Sequence, residues 1–170
     1  GDHLALKEVA LEVRRGGVSV IVGGSGSGKT TLLKAIIGLA PISSGRIRLL
    51  DRELGELTEA EGRALLQRIG VMFQGGALLN SITVGENVAL PLEMHTSLKT
   101  DLVAEIARTR LRLVGLEDAA DKLPAELSGG MRKRAALARA MAMDPEILFC
   151  DEPGAGLDPI TAAEIDRLLL

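Results

Sequence analysis

Short apolar runs that stop at glycine or acidic clusters alternate along this chain with longer stretches of helical periodicity, and the alternation predicts an α/β fold. Val18 to Val22 is a β-branched run ending in a glycine cluster, and Lys29 to Ile37 then has helical composition, so the join reads strand, loop, helix. Ile47 to Leu50 alternates like a strand after Ser43-Ser44-Gly45. Thr58 followed by Glu61 makes a capping box for a helix running to about Arg68, and Ile69 to Phe73 resembles a further buried strand. Pro91 to Lys99 reads as loop. Thr100 to Val114 places Leu102, Ile106 and Leu113 on one helical face and stops before Gly115. Asp118 to about Leu123 reads as a short helical turn, and Ser128 to Met143 as a long helix ended by Asp144-Pro145. Glu146 to Cys150 is a near-continuous apolar strand, and the stretch up to Leu170 is helical without a stop signal. The sum is an α/β core over residues 1–77 and 127–170, interrupted by a mostly helical insertion over 78–126.

Composition then removes several function classes. With 46% apolar residues over 170 positions the chain fills one core, or one core and a small appendage, and is no disordered segment. A net charge of −3 supplies no positive field for a phosphate backbone, and two Phe without Tyr or Trp leave almost nothing to stack on bases, so nucleic acid is not an expected partner. No apolar run approaches the roughly 18 to 20 residues that span a bilayer, and no signal-peptide pattern opens the chain, which predicts a cytosolic protein. The one cysteine, Cys150, lies in an apolar run without a partner thiol, and reads as a buried, inert group.

Chemistry concentrates at the ends of the apolar runs. Gly23-Gly24-Ser25-Gly26-Ser27-Gly28-Lys29-Thr30 matches the G-x-x-x-x-G-K-[ST] phosphate loop in full and in its strand-to-helix context. The glycines let backbone N–H groups turn inward around phosphates, and the following helix adds the positive end of its dipole. Lys29 is placed to reach the β- and γ-phosphates of ATP, and the Thr30 hydroxyl to coordinate Mg²⁺. Downstream, Asp151 and Glu152 stand at the C-terminal end of an apolar strand, where ligands of open α/β sheets bind. Asp151 is the candidate for steadying Mg²⁺, and Glu152 the candidate for polarising the attacking water. The plain alternative makes both of them solvated strand-end acids. Leu127-Ser128-Gly129-Gly130-Met131 offers a Ser N-cap, two glycine N–H groups and a helix N-terminus, a second anion site in one chain.

That pentapeptide, lying between the phosphate loop and the Asp-Glu strand, resembles the signature of ABC-type ATPases. The resemblance implies a P-loop NTPase, RecA-like core with an antiparallel β portion and a helical subdomain specific to the family. It implies two domains packed head to tail, each ATP lying between the phosphate loop of one copy and Ser128, Gly129 and Gly130 of the other. On the near side the nucleotide is held by Gly23 to Thr30 together with Thr31. Gln74 matches the glutamine that contacts Mg²⁺ and senses the permease, and joins Glu152 and Lys29 as catalytic candidates. Gly156-Leu157-Asp158 matches the segment that places Asp158 at the dimer interface; read singly, Gln74 is a loop-capping amide and Asp158 a helix cap before Pro159. Of the basic residues after Met131, Lys133 and Arg134 read as a solvated helix face.

The resemblance covers essentially the whole chain, but not the whole family domain. The family's switch histidine lies a few tens of residues beyond the Asp-Glu pair, past Leu170, and both His3 and His95 precede the signature. The adenine-stacking aromatic usually lies just before a Gly-Asp like Gly1-Asp2, so the sequence reads as a piece of a longer ATPase. Phe73-Gln74-Gly75-Gly76-Ala77-Leu78-Leu79, Val84 to Leu92, His95-Thr96 and Asp151-Glu152-Pro153 with Ala155 to Thr161 further resemble ATPase subunits of MCE-type lipid transporters, the Mla-like and Mkl-like group. This implies a subunit on the cytoplasmic side of the inner membrane, with a transmembrane permease and MCE substrate-binding proteins as partners. Importers of amino acids or other polar solutes share every catalytic motif, and permease-free ABC ATPases acting on ribosomes or DNA form a separate class. About fifty residues between Gln74 and the signature, without heptads or Cys pairs, weigh against the DNA type.

Overall fold

A computed structural model describes residues 6–169, so the Gly1-Asp2 pair and His3 lie outside the described residues. The chain divides into two compact units, 1–62 and 63–170.

In the first unit, α1 (Lys29–Ile36) starts at Gly28 and buries Leu33, Ala35 and the following Ile37. A two-residue hairpin follows, β1 (Arg48–Leu49) antiparallel to β2 (Arg52–Glu53). Leu50 and Asp51 between them both take positive φ, 48° and 64°, the double left-handed turn whose twist suits a tight hairpin. α2 (Glu59–Leu66) opens on the expected capping box: the Thr58 N–H donates to Glu61 Oε2 at 3.0 Å and the Glu61 N–H to Thr58 Oγ1 at 3.3 Å. Residues 18–22, expected as a strand, form none. A strand needs a ladder partner, and among the described residues of this unit the one ladder is β1–β2. Val20 and Val22 consequently stand 78% and 89% exposed.

The second unit is organised by a parallel pair, β3 (Ile69–Met72) beside β4 (Ile147–Cys150), in register from Ile69↔Ile147 to Met72↔Cys150. The ladder is extended at both ends, by Glu146 N to Arg68 O and by Asp151 N to Met72 O, each 2.8 Å. The Arg68 guanidinium also meets Glu146 Oε1 at 2.6 Å, tying the two strand starts. β4 is only half-buried, and Cys150 with it; burial still pushes the Cys150 thiol up to about 11.

The crossover between the strands carries α3 (Val84–His95), α4 (Thr100–Leu113) and α5 (Gly129–Ala140), and α6 (Pro159–Leu169) follows β4. Pro91, expected to begin a loop, lies inside α3, which runs four residues past it. Its missing N–H removes one bond to Asn87 O. Burial of Val84, Val88 and Leu92, with a Thr83/Glu86 capping box, offsets that loss. α4 is amphipathic, but the buried face is Val103, Ala107 and Leu111; Leu102 and Leu113 are 44% and 56% exposed. The i, i+4, i+8 series one residue on places small Ala107 at its centre, where a short side chain admits a neighbouring helix. Ala135, Ala136 and Ala138 do the same for α5, which packs against α3, α4 and β3. No described helix is long and apolar enough to cross a membrane.

Asn87 is fully buried in α3 and staples the preceding loop. Its Oδ1 accepts from Leu79 N at 2.7 Å, and its Nδ2 donates to the carbonyls of Leu79, Ile82 and Thr83 at 3.0, 3.3 and 2.9 Å. Removing such an amide leaves buried backbone groups unmatched. Asn87→Ala is expected to lower unfolding free energy by about 3 kcal/mol in urea titration, with amide exchange accelerated first over residues 79–83.

Candidate functional site

The phosphate loop belongs to the first unit. Gly26 and Gly28 take φ of 79° and 93°, a region that side chains strain to enter, and Gly28 in that conformation is the N-cap of α1. Ser27 N donates back to Gly24 O at 3.2 Å and closes the turn. The Lys29 ammonium folds over the loop, donating to Gly23 O at 2.8 Å and Gly24 O at 3.0 Å. First-turn N–H groups of α1 and its dipole both favour an anion in front of Gly28. Thr30 and Thr31 occupy that first turn.

Gln74, Asp151, Glu152 and the signature belong to the second unit. Parallel register brings the exits of β3 and β4 side by side, and there Gln74 Nε2 donates to Glu152 Oε2 at 2.9 Å. Asp151, one residue beyond the strand, is buried at 7% exposure, whereas Glu152 turns away with a left-handed φ of 47°. With its nitrogen on Glu152, the oxygen of the Gln74 amide is the end suited to a cation. Within this unit the Gln74 amide oxygen and the Asp151 carboxylate are hard oxygen donors, of the kind an ion such as Mg²⁺ takes.

Ser128 caps α5 as its sequence predicts, its Oγ accepting from Met131 N at 3.2 Å. The signature then opens onto a cavity of about 400 Å³ lined by Ser128, Gly129, Gly130, Leu157, Asp158 and Thr161, among others. Asp158 caps α6: its Oδ1 accepts from the N–H groups of Ile160 and Thr161, both at 3.1 Å. Hydrogen bonds from Thr161, side chain first and then backbone, hold its carboxyl below the usual range.

Lys133 and Arg134 do not form a solvated face. Lys133 is 8% exposed, and its ammonium donates to Gln74 O and, at 3.2 Å, to Glu152 O. Burial pulls its pKa down against the opposing pull of Asp151 and Glu152. Arg134 is half-buried and donates to Val114 O at 3.1 Å. Arg139, a turn and a half beyond Lys133, grips Gly76 O and Ala77 O at 2.9 and 2.7 Å. The signal was present in the spacing: Gly130, Lys133 and Leu137 fall at i, i+3, i+7 on the buried side of α5.

Residues 6–155 match the family model described as ABC transporter. The chain belongs to the ABC transporter family. The cassette is 42% identical over 170 residues, all of its length and 49% of the other's, to the probable ribonucleotide transport ATP-binding protein mkl of Mycobacterium leprae. It is 42% identical over 169 residues, 99% of its length and 64% of the other's, to the intermembrane phospholipid transport system ATP-binding protein MlaF of Haemophilus influenzae. Against the methionine import ATP-binding protein MetN of Clostridium tetani the values are 41%, 99% and 53%. The cassette thus spans roughly half to two thirds of the length of the curated relatives it matches. Among solved structures, a dimeric ATP-binding cassette in a post-hydrolysis state bound to ADP and Pi superposes with a TM-score of 0.87 at 35% identity, over 97% of this chain and 73% of that one. The fold is therefore the α/β P-loop NTPase fold of ABC cassettes.

A Cβ added at Gly130 would lie 2.4 Å from Thr161 Cγ2, so the Thr161 side chain, or α6 behind it, has to shift to admit it. Gly130→Ala is expected to destabilise the cassette by about 2 kcal/mol in thermal or urea unfolding, and Thr161→Ser to recover part of the loss. Full stability in Gly130→Ala would contradict the close approach of α6 to the signature.

Proposed function

We propose that this chain is the nucleotide-hydrolysing core of a longer ABC transporter ATPase that works as a pair of cassettes beside a membrane permease. The observation that carries the reading is the Gln74 amide on the Glu152 carboxylate at the shared exit of β3 and β4. A carboxylate held there by a neutral donor stays an acceptor, able to orient a water for attack at the γ-phosphate and take its proton. Lys29 and the loop from Gly23 to Thr31 bind the phosphates. Thr30, Gln74 and Asp151 would hold Mg²⁺, which when bound neutralises charge on the phosphate oxygens. Ser128, Gly129 and Gly130 contact the γ-phosphate of the nucleotide bound by the other copy, with Asp158 at the same interface. The dimeric, ADP- and Pi-bound state of the structural relative supports this arrangement.

For cargo, we favour phospholipids or related hydrophobic compounds, moved across the envelope with a permease and MCE substrate-binding proteins from the cytoplasmic side of the membrane. The MlaF relative, with the Phe73 to Leu79 and Ser81 to Thr96 segments, supports it. The names of the Mkl and MetN relatives, at nearly equal identity, keep a polar-solute importer as the second reading.

In the full-length protein, Glu152→Gln is expected to keep ATP affinity and lower kcat about 100-fold or more, leaving a closed pair visible by size-exclusion chromatography with ATP. Unchanged turnover would remove Glu152 from its role. Lys29→Ala is expected to weaken triphosphate binding by at least about tenfold in a fluorescent-nucleotide titration, a charge-assisted contact being lost. Purification from detergent-solubilised membranes decides the cargo: phospholipid and MCE proteins support the first reading, a solute-binding importer complex the second.

A further inference from the structure

We propose that Lys133 is a positioning residue for hydrolysis: its buried ammonium bolts the main chain of Gln74 to that of Glu152, and so fixes the approach of the Gln74 amide to the Glu152 carboxylate. The inference rests on the role given to Glu152 above.

Three observations converge on it. The two acceptors of the Lys133 ammonium are the carbonyls of the two residues whose side chains bond each other, one at each strand exit. Main chain and side chains therefore close one ring, Gln74 to Glu152 through their side chains and back through a single cation. Secondly, Glu152 sits at φ 47°, a conformation that persists only where its surroundings over-determine it, and Lys133 supplies a fixed donor to that residue's own carbonyl. Thirdly, an ammonium is costly to bury. An apolar side chain would fill the same space on α5 beside Ala136 and Leu137 without that cost, so packing alone does not call for a lysine here. Burial draws its pKa down, and the carboxylates of Asp151 and Glu152 act against that pull.

The geometry also connects the signature to the hydrolytic pair. Lys133 lies one turn along the helix that Ser128 caps, and Arg139 on the same helix holds the carbonyls of Gly76 and Ala77 in the Gln74 segment. A shift of α5 therefore moves both Gln74 and the Glu152 main chain with it. Lys133 itself need touch neither nucleotide nor water.

The test uses the full-length ATPase with Lys133→Met, which keeps length and apolar bulk, and Lys133→Arg, which keeps the cation. Lys133→Met is expected to lower kcat about tenfold or more, because a small misplacement of a reacting group is enough, while KM and nucleotide Kd stay within about twofold. Hydrogen exchange should rise together over residues 73–77 and 151–155, and Lys133→Arg should recover most of the rate. Unchanged kcat in Lys133→Met, or a loss of kcat that tracks a matching loss of nucleotide affinity and unfolding temperature, would overturn the proposal. Failure of both variants to fold would assign Lys133 to stability alone, and overturn it too. Glu152→Gln run alongside separates the two claims. If it abolishes turnover while Lys133→Met does not, only the positioning role falls; if it leaves turnover intact, the reading beneath has failed first.

Discussion

Two strands in parallel register cannot be joined by a tight turn, and much of the second unit is the consequence. β3 and β4 run side by side from Ile69↔Ile147 to Met72↔Cys150, so the chain must travel from one end of the ladder back to the other before it can pair. The return path contains α3, α4 and α5, and α5 lies against β3. Because parallel strands end on the same side, the residues just beyond the ladder are neighbours. Gln74 and Glu152, 78 positions apart in sequence, meet at 2.9 Å for that reason.

The same constraint explains why a cation from α5 is useful. Two strand exits side by side present carbonyl groups that the ladder no longer pairs, and a helix lying across them can satisfy those groups with side chains. Lys133 and Arg139 do so for Gln74, Gly76, Ala77 and Glu152. The half-buried α5 is thereby attached to the loop by charge-assisted bonds as well as by its alanines.

Local signals were legible where a short-range rule governs them. The Thr58 to Glu61 box, the Ser128 cap and the glycines of the phosphate loop are each decided within a few residues, and each has its expected conformation; the long helix, expected to reach Met143, ends instead at Ala140. The misreadings came where distant partners decide. Val18 to Val22 has strand composition, but a strand is a property of pairing, and no ladder forms there among the described residues. Pro91 signals a break, yet capping at Thr83 and burial of Val84, Val88 and Leu92 outweigh one lost bond. In α4 two interleaved apolar series compete, and only the neighbouring helices choose Val103-Ala107-Leu111. Lys133 was misread because its charge hid its position: spacing placed it inside, and its acceptors lie 59 and 19 residues away.

The grip on the Gln74 segment addresses main-chain oxygens, which every residue type carries. Gly75 and Ala77 are exposed, and a Cβ at Gly75 would meet no atom within 4 Å. The side chain at Gly75 can therefore diverge without loosening the hold on the segment, whereas Ala77, at φ 48°, is held to residues that tolerate a left-handed backbone. A cassette built this way can vary the surface it shows at Gly75 while the main-chain bonds that hold the Gln74 segment stay the same.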